Sequence, residues 1–205
     1  MKRLLTAVSL ATASLLAAVP ASAAIVVNFT PASSHVNVGD SVAINMTISG
    51  LDTEILSVFD VNMLFNSAVV GNAAVSFFGA EFGGLADSFV DVTFGAGVTG
   101  VIGGSWLDDD TLAASQSDSF VMLQFSFTGL ADGVTNVTLG ADPDYARNFV
   151  GRRAQSLDVT VGSACIAVGT GSCGGGNNVP EPAGYGLAGL ALLGAGFASR
   201  RRKPV

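Results

Sequence analysis

Short runs in which apolar and polar residues alternate recur along the middle of this chain, and glycines separate them. A period of two places successive side chains on opposite faces of an extended strand, so each run is typical of a half-buried β-strand. Helical periodicity is almost absent between the runs. We therefore predict strands at residues 25–30, 42–48, 58–66, 74–78, 88–94, 120–128, 135–139 and 157–161.

Eight or nine short strands of this kind predict an all-β fold, either an antiparallel β-sandwich or a jelly roll. The alternation also indicates which side chains face the core. In two of the runs one face is strongly apolar, and its members are Phe59, Val61, Met63 and Phe65 in the first run and Val121, Leu123, Phe125 and Phe127 in the second. The opposite face of the second run carries Phe120, Met122, Gln124, Ser126 and Thr128.

The order of these patterns is similar to that of a cohesin-type domain. The resemblance lies in the turn Val38-Gly39-Asp40, the strand from Phe59 to Asn66, the late apolar strand 120–127 and the strand 135–139. It spans most of residues 25–161, and residues 95–114 fit it least. It implies a jelly-roll sandwich that binds a dockerin partner, and related sandwiches bind carbohydrate. It assigns no contact residue.

The N-terminus has the three parts of a secretory signal peptide. Basic residues follow Met1, residues 4–19 are apolar, and small residues occupy Ala21, Ser22 and Ala23. We predict that signal peptidase cleaves before Ala24, so that the signal peptide spans residues 1–23.

The C-terminus also has three parts. The apolar segment 183–198 would cover roughly 24 Å as a helix, just short of the hydrocarbon core of a bilayer. We predict a transmembrane helix over residues 183–199 whose basic end stays cytoplasmic. The motif before the segment and the cations after it are Val179, Pro180, Glu181 and Pro182, and Arg200, Arg201, Arg202 and Lys203.

This tail resembles the PEP-CTERM sorting signal of Gram-negative bacteria in the order, spacing and terminal position of its parts. The resemblance implies that the membrane enzyme exosortase processes the protein near Pro180-Glu181-Pro182. The protein would be anchored transiently in the inner membrane and would then reach the cell surface or the extracellular space. A permanent single-span anchor is the alternative.

These features divide the chain into a signal peptide (1–23), a cohesin-like sandwich (24–161), a glycine-rich spacer (162–178) and a sorting tail (179–205). Residues 24–178 contain 15 acidic residues and three arginines, a net charge of −12. Such a surface repels phosphates, so we exclude nucleic acids and anionic lipid surfaces as partners held by charge.

Cys165 and Cys173 are the only cysteines, and seven residues separate them. In an exported protein this spacing favours a local disulfide in a glycine-rich loop. A zinc site would need more ligands than two thiols.

Asp108, Asp109 and Asp110 form the densest acidic cluster. They are weak calcium candidates, because they lack the alternating spacing of an EF-hand loop, and a solvated turn beside Trp106 is the favoured interpretation. We predict no cofactor. Trp106 could be an exposed carbohydrate platform, although a buried position is favoured.

No residue pattern identifies a catalytic centre. His35 is the only histidine and is interpreted as a surface-loop residue, and Glu54 and Glu81 are the only glutamates between the two ends. Paired carboxylates for glycoside hydrolysis remain open, because their pairing is spatial. We predict a protein that is not an enzyme.

Three functions remain. The favoured one is an exported surface or extracellular-matrix protein whose sandwich acts in adhesion, scaffolding or association with exopolysaccharide. The second is a docking module that binds a dockerin-like protein. The third is a jelly-roll glycan hydrolase.

Overall fold

The computed structural model of the protein describes residues 24–140 and 149–174. The predicted signal peptide and the sorting tail with its membrane helix lie outside the described residues. Among the helices that the structure does describe, none is long and apolar enough to cross a membrane.

The described residues form twelve strands and one short α-helix. The strands are β1 Ile25–Thr30, β2 Ser33–Val36, β3 Ser41–Ser49, β4 Val58–Leu64, β5 Val70–Phe77, β6 Ser88–Gly95, β7 Val98–Ser105, β8 Phe120–Gly129, β9 Gly133–Gly140, β10 Phe149–Val150, β11 Val159–Val161 and β12 Ala164–Val168. The helix α1 spans Asp109–Ser115, and two 3-10 turns span Gly79–Phe82 and Arg152–Ala154.

Two sheets face each other. The five-stranded sheet has the order β11-β1-β3-β8-β5, and the seven-stranded sheet has the order β2-β12-β9-β4-β7-β6, with β10 beside β4. Most pairings are antiparallel, but β11 and β2 pair in parallel with β1 and β12. The predicted all-β sandwich is confirmed, whereas the predicted count of eight or nine strands is wrong.

The core lies between the sheets and matches the predicted apolar faces closely. Phe59, Val61 and Met63 of β4 are fully buried, and so are Leu123, Phe125 and Phe127 of β8. Phe65 lies beyond the end of β4 and is only partly buried, with its ring edge-on to that of Phe127 at a centroid distance of 5.3 Å.

One part of β8 departs from strict alternation. Its pairing with β3 shifts register, so that Met46 faces Leu123 but Thr47 faces Val121. Met122 and Phe120 are buried, whereas Val121 is only half-buried. The prediction that Val121 faces the core and that Phe120 and Met122 face away is wrong, because this β-bulge reverses the alternation.

Strand β7 lies in the region that fits the cohesin resemblance least, and it was not predicted. Its three glycines, Gly100, Gly103 and Gly104, hide the apolar alternation. A Cβ atom on Gly103 would lie 2.6 Å from Cζ of the buried Phe59, so the strand can pass over that ring only without a side chain there. The segment is nevertheless central, because β7 pairs with both β4 and β6.

Strand β12 corrects the predicted spacer. Its residues Ala164, Ile166 and Val168 are buried, and the strand pairs with β9 and β2. The sandwich therefore extends beyond residue 161, and residues 164–168 are not a flexible spacer. Glycines on both sides of this short run concealed it in the sequence.

Candidate binding face

The outer face of the seven-stranded sheet carries the most varied exposed side chains. Because Phe59, Val61 and Met63 point into the core, the other residues of β4 point outward. The register then places Asp60 beside Ile102 of β7, which in turn faces Asp91 of β6. The next row contains Asn62, Gly100 and Thr93, and the row after it contains Leu64, Val98 and Gly95.

Glycines form the floor of a shallow cleft on this face. The cleft has a volume of about 360 Å³, and its walls include Asp60, Asn62, Asp91 and Thr93. A Cβ atom on Gly100 would lie 3.1 Å from Oδ1 of Asn62, so the amide lies close to the bare backbone of β7. The absence of a side chain at this position keeps the cleft open.

Beyond the cleft, the face becomes aliphatic. The Leu64 side chain lies over Gly140 of β9, where a Cβ atom would come within 2.9 Å of Cδ1. Leu64 and Val134 are each 39% exposed, whereas Ile102, which is 37% exposed, lines the cleft itself. The strands of this sheet contain no lysine or arginine, so the face is neutral to acidic.

Trp106 lies at the corner of this face where β6 begins and β7 ends. It is 71% exposed, so the favoured interpretation of a buried tryptophan is wrong. Its indole lies against the ring of Phe89, with centroids 4.5 Å apart and planes inclined by 34°. The backbone N–H of Trp106 donates to the backbone carbonyl of Asp87 at 2.7 Å, and this hydrogen bond fixes the backbone that carries the indole.

The aspartate run that follows Trp106 begins helix α1. Oδ1 of Asp108 accepts hydrogen bonds from the backbone N–H groups of Asp110 at 3.1 Å and Thr111 at 3.0 Å. Oδ2 accepts one from the Thr111 hydroxyl at 2.8 Å. The hydrogen bonds from the Thr111 backbone and hydroxyl stabilise the charged form and lower the pKa of Asp108. Asp108 is therefore an N-cap rather than part of a solvated turn.

The other two carboxylates of the run contact arginine residues. Oδ2 of Asp109 accepts from the backbone N–H of Arg153 at 2.8 Å, and Oδ1 of Asp110 is 3.5 Å from Nη1 of Arg152. Within the described residues, no group of three or more His, Cys, Asp or Glu side chains could hold a metal ion. The calcium hypothesis for Asp108, Asp109 and Asp110 therefore gains no support.

The two cysteines lie at the β12 end of the sandwich. Their sulfur atoms are bonded at 2.03 Å, and Cys165 pairs with Asn136 of β9 and Ser33 of β2. His35 lies in β2 rather than in a loop, and its Nε2 donates to the carbonyl of Gly169 at 2.8 Å. The histidine thus helps to hold the turn after β12.

The carboxylate of Glu81 also holds the chain together. It accepts hydrogen bonds from the backbone N–H of Ser117 at 2.7 Å and from the Ser117 hydroxyl at 3.1 Å. Glu54 lines a different cleft, which includes Asp109, Arg152 and Arg153. These contacts assign neither glutamate a catalytic role.

The comparisons with known proteins give different results for the tail and for the sandwich. The family model of the PEP-CTERM protein-sorting motif matches residues 178–203. No curated protein matches the chain. The family model therefore confirms the sorting motif that the tail predicts, but it covers only that part of the chain.

Several of the solved structures that match are cohesins. The chain is 14% identical, with a TM-score of 0.56, to the sixth cohesin of scaffoldin B from Acetivibrio cellulolyticus in complex with a mutant dockerin, and it covers 99% of that cohesin with 71% of its own length. A type II cohesin domain from the cellulosome of the same organism is 15% identical, with a TM-score of 0.55, and the chain covers 95% of it with 71% of its own length. The cohesin of a cohesin–dockerin complex from Clostridium thermocellum is 10% identical, with a TM-score of 0.55, and the chain covers 94% of it with 71% of its own length. The sandwich therefore has a cohesin-like fold.

Proposed function

We propose that this protein, a cohesin-like sandwich that carries a PEP-CTERM sorting motif, is an exported, non-catalytic docking or scaffolding module. The motif supports processing near Pro180-Glu181-Pro182 by exosortase. Signal peptidase would remove the signal peptide before Ala24. The basic residues 200–203 would stay cytoplasmic during transient anchoring. The mature protein would then act in adhesion or scaffolding at the cell surface or in the extracellular matrix.

The outer face of the seven-stranded sheet supports the docking role best. Leu64 on β4 and Val134 on the neighbouring strand β9 expose aliphatic surface that a partner could bury, and burial of apolar surface is the main favourable term in association. The Thr138 hydroxyl lies directly across from Leu64 on β9 and could hydrogen-bond a partner. The exposed aliphatic side chains of Leu64 and Val134 on this face are the observation that carries the proposal.

The partner that fits this face is a dockerin-like protein with a neutral or basic contact surface. Two of the similar cohesin structures contain a dockerin. The absence of lysine and arginine from the strands of this sheet disfavours an acidic partner, because like charges brought together raise the free energy of the complex. No observation in the described residues favours the glycan hydrolase.

Affinity capture with matched variants tests the docking role. The exported protein is immobilised, secreted proteins of the source organism are passed over it, and each captured protein is then purified and titrated against the exported protein. Leu64→Arg should abolish binding, whereas Ser76→Arg, on the exposed outer face of the five-stranded sheet, should leave it unchanged. Equal loss or equal retention in both variants would contradict docking at this face.

A further inference from the structure

We propose that Trp106 and Phe89, together with Asp87 and Asp91, bind the sugar rings of a neutral glycan. We call these four residues the aromatic corner. This inference rests on the proposed extracellular role of the protein, but it concerns a different ligand and a different part of the face from the protein partner.

The first observation is that one face of the Trp106 indole is open to solvent. Phe89 covers one face of the Trp106 ring at a centroid distance of 4.5 Å, yet Trp106 is 71% exposed. A ring with one covered face and this much exposure must present its other face to solvent. Neighbouring hydrogen bonds hold the chain here, since Ser105 Oγ donates to the carbonyl of Phe82 at 2.9 Å and accepts from the N–H of Leu107 at 3.1 Å.

Such a ring is suited to stack against the C–H face of a pyranose. A pyranose presents an apolar face of C–H groups and an equatorial belt of hydroxyl groups. A large aromatic ring that is already held in place loses little conformational entropy when it is covered. The belt of hydroxyl groups then needs hydrogen-bond partners at the edge of the aromatic ring.

Carboxylates stand where those partners are needed. Phe89 and Asp91 alternate within β6, so their side chains share the outer face, and Asp87 lies in the turn directly before this strand. Asp87 and Asp91 are both exposed, and the backbone carbonyl of Asp87 accepts a hydrogen bond from the backbone N–H of Trp106. Ionised carboxylates accept strong hydrogen bonds from hydroxyl groups. Asp91 therefore offers acceptors beside Phe89 on the outer face, and Asp87 offers exposed acceptors in the turn whose backbone is hydrogen-bonded to Trp106.

The cleft extends the site for a polymer. Beyond Asp91 it continues past Asp60 to Thr93 and Asn62, with a volume of about 360 Å³. Amide, hydroxyl and carboxylate groups thus line the path that the next sugar units would follow from the aromatic corner.

Charge selects neutral glycans. The described residues contain thirteen acidic residues and two arginines, and neither arginine lies on this sheet. A polyuronate or a sulfated glycan would meet the carboxylates of Asp60, Asp87 and Asp91 and would be repelled. A neutral glycan keeps the hydrogen bonds without this penalty.

Trp106 is the only tryptophan, so the fluorescence of the intact protein reports on the site directly. The exported protein is titrated with a soluble β-glucan and with galactomannan, which are neutral, and with alginate, which is a polyuronate. We expect at least one neutral polymer to shift the emission to shorter wavelength and to retard the protein in affinity electrophoresis. Alginate should do neither.

Variants distinguish this site from the docking surface. Trp106→Ala should weaken retardation by the neutral polymer about tenfold or more, and Trp106→Phe should retain part of it. Asp91→Asn should weaken it less, because an amide oxygen still accepts. Leu64→Arg should leave glycan binding intact, so that failure of the protein-docking proposal would not affect this result.

Several outcomes would overturn the inference. They are no binding of either neutral polymer, equal binding of alginate, retardation that survives Trp106→Ala, and capture of a protein that depends on Trp106 in the absence of glycan binding.

Discussion

Asp108 and Thr111 are joined by two hydrogen bonds, one from the Thr111 backbone N–H at 3.0 Å and one from its hydroxyl at 2.8 Å. The pair caps helix α1 directly after Trp106 and thereby connects the end of β7 to the helix. Because both bonds favour the carboxylate, the pKa of Asp108 in the folded protein is lowered from its ordinary value of 3.8.

The first prediction concerns pH. A lowered folded-state pKa contributes stability that is present above the unfolded value and is lost as the pH falls through the folded value. Asp108→Asn keeps a capping oxygen but cannot titrate, so its Tm should fall less between pH 6 and pH 2.5 than that of the wild type. Asp108→Ala should have a lower Tm already at pH 6. A larger acid-induced decrease in Tm for Asp108→Asn would contradict the assignment.

The second prediction concerns Gly103. Gly103→Ala would place a Cβ atom 2.6 Å from Cζ of the buried Phe59 and should cost about 1 to 3 kcal/mol of unfolding free energy. Gly71→Ala is the matched control, since its Cβ atom would meet Leu130 at an ordinary 3.5 Å. Urea denaturation measures the unfolding free energy of both variants. Partial recovery is expected in Gly103→Ala/Phe59→Leu, and equal costs at the two glycines would refute the steric argument.

The third prediction concerns the disulfide between Cys165 and Cys173. The bond closes a short loop, so replacing both cysteines with serine should lower the unfolding free energy by about 2 to 3 kcal/mol. Treatment of the wild type with a reductant should reproduce the Tm of the double variant. Free-thiol labelling of the unreduced exported protein at both positions would show that the bond does not form.

The fourth prediction concerns sorting. Replacing Pro180, Glu181 and Pro182 with alanine should leave membrane insertion intact but block processing. Replacing residues 200–203 with serine should instead weaken both retention in the membrane and orientation, because these cations oppose transfer across the bilayer. Intact-mass analysis of protein released from the surface measures the outcome, and a mature form that still carries residues 200–203 would refute processing.

Local alternation was enough to predict the class of fold and the main core positions. Phe59, Val61 and Phe125 could be assigned because each follows the period of its own strand. The bulge in β8 could not be predicted, because it is defined by pairing with β3 and not by the run itself. Met122 consequently occupies the core although simple alternation places it outside.

The candidate sites could not be predicted from the sequence, because they depend on pairing between strands that are distant along the chain. Asp60, Ile102 and Asp91 are far apart in sequence and become neighbours only because β7 lies between β4 and β6. The glycines that conceal β7 in the sequence also allow its close approach to Phe59. Trp106 could not be placed for the same reason, since its contact with Phe89 depends on the hairpin that β6 and β7 form.

The covalent bond at β12 has a mechanical consequence. Tension applied to the chain beyond Cys173 bypasses the intervening loop and reaches the strand at Cys165. There β12 is held on both sides, by β9 and by β2. A protein pulled from its C-terminal side would thus bear the load across two rows of backbone hydrogen bonds, and detachment would require both rows to yield rather than the peeling of one free end.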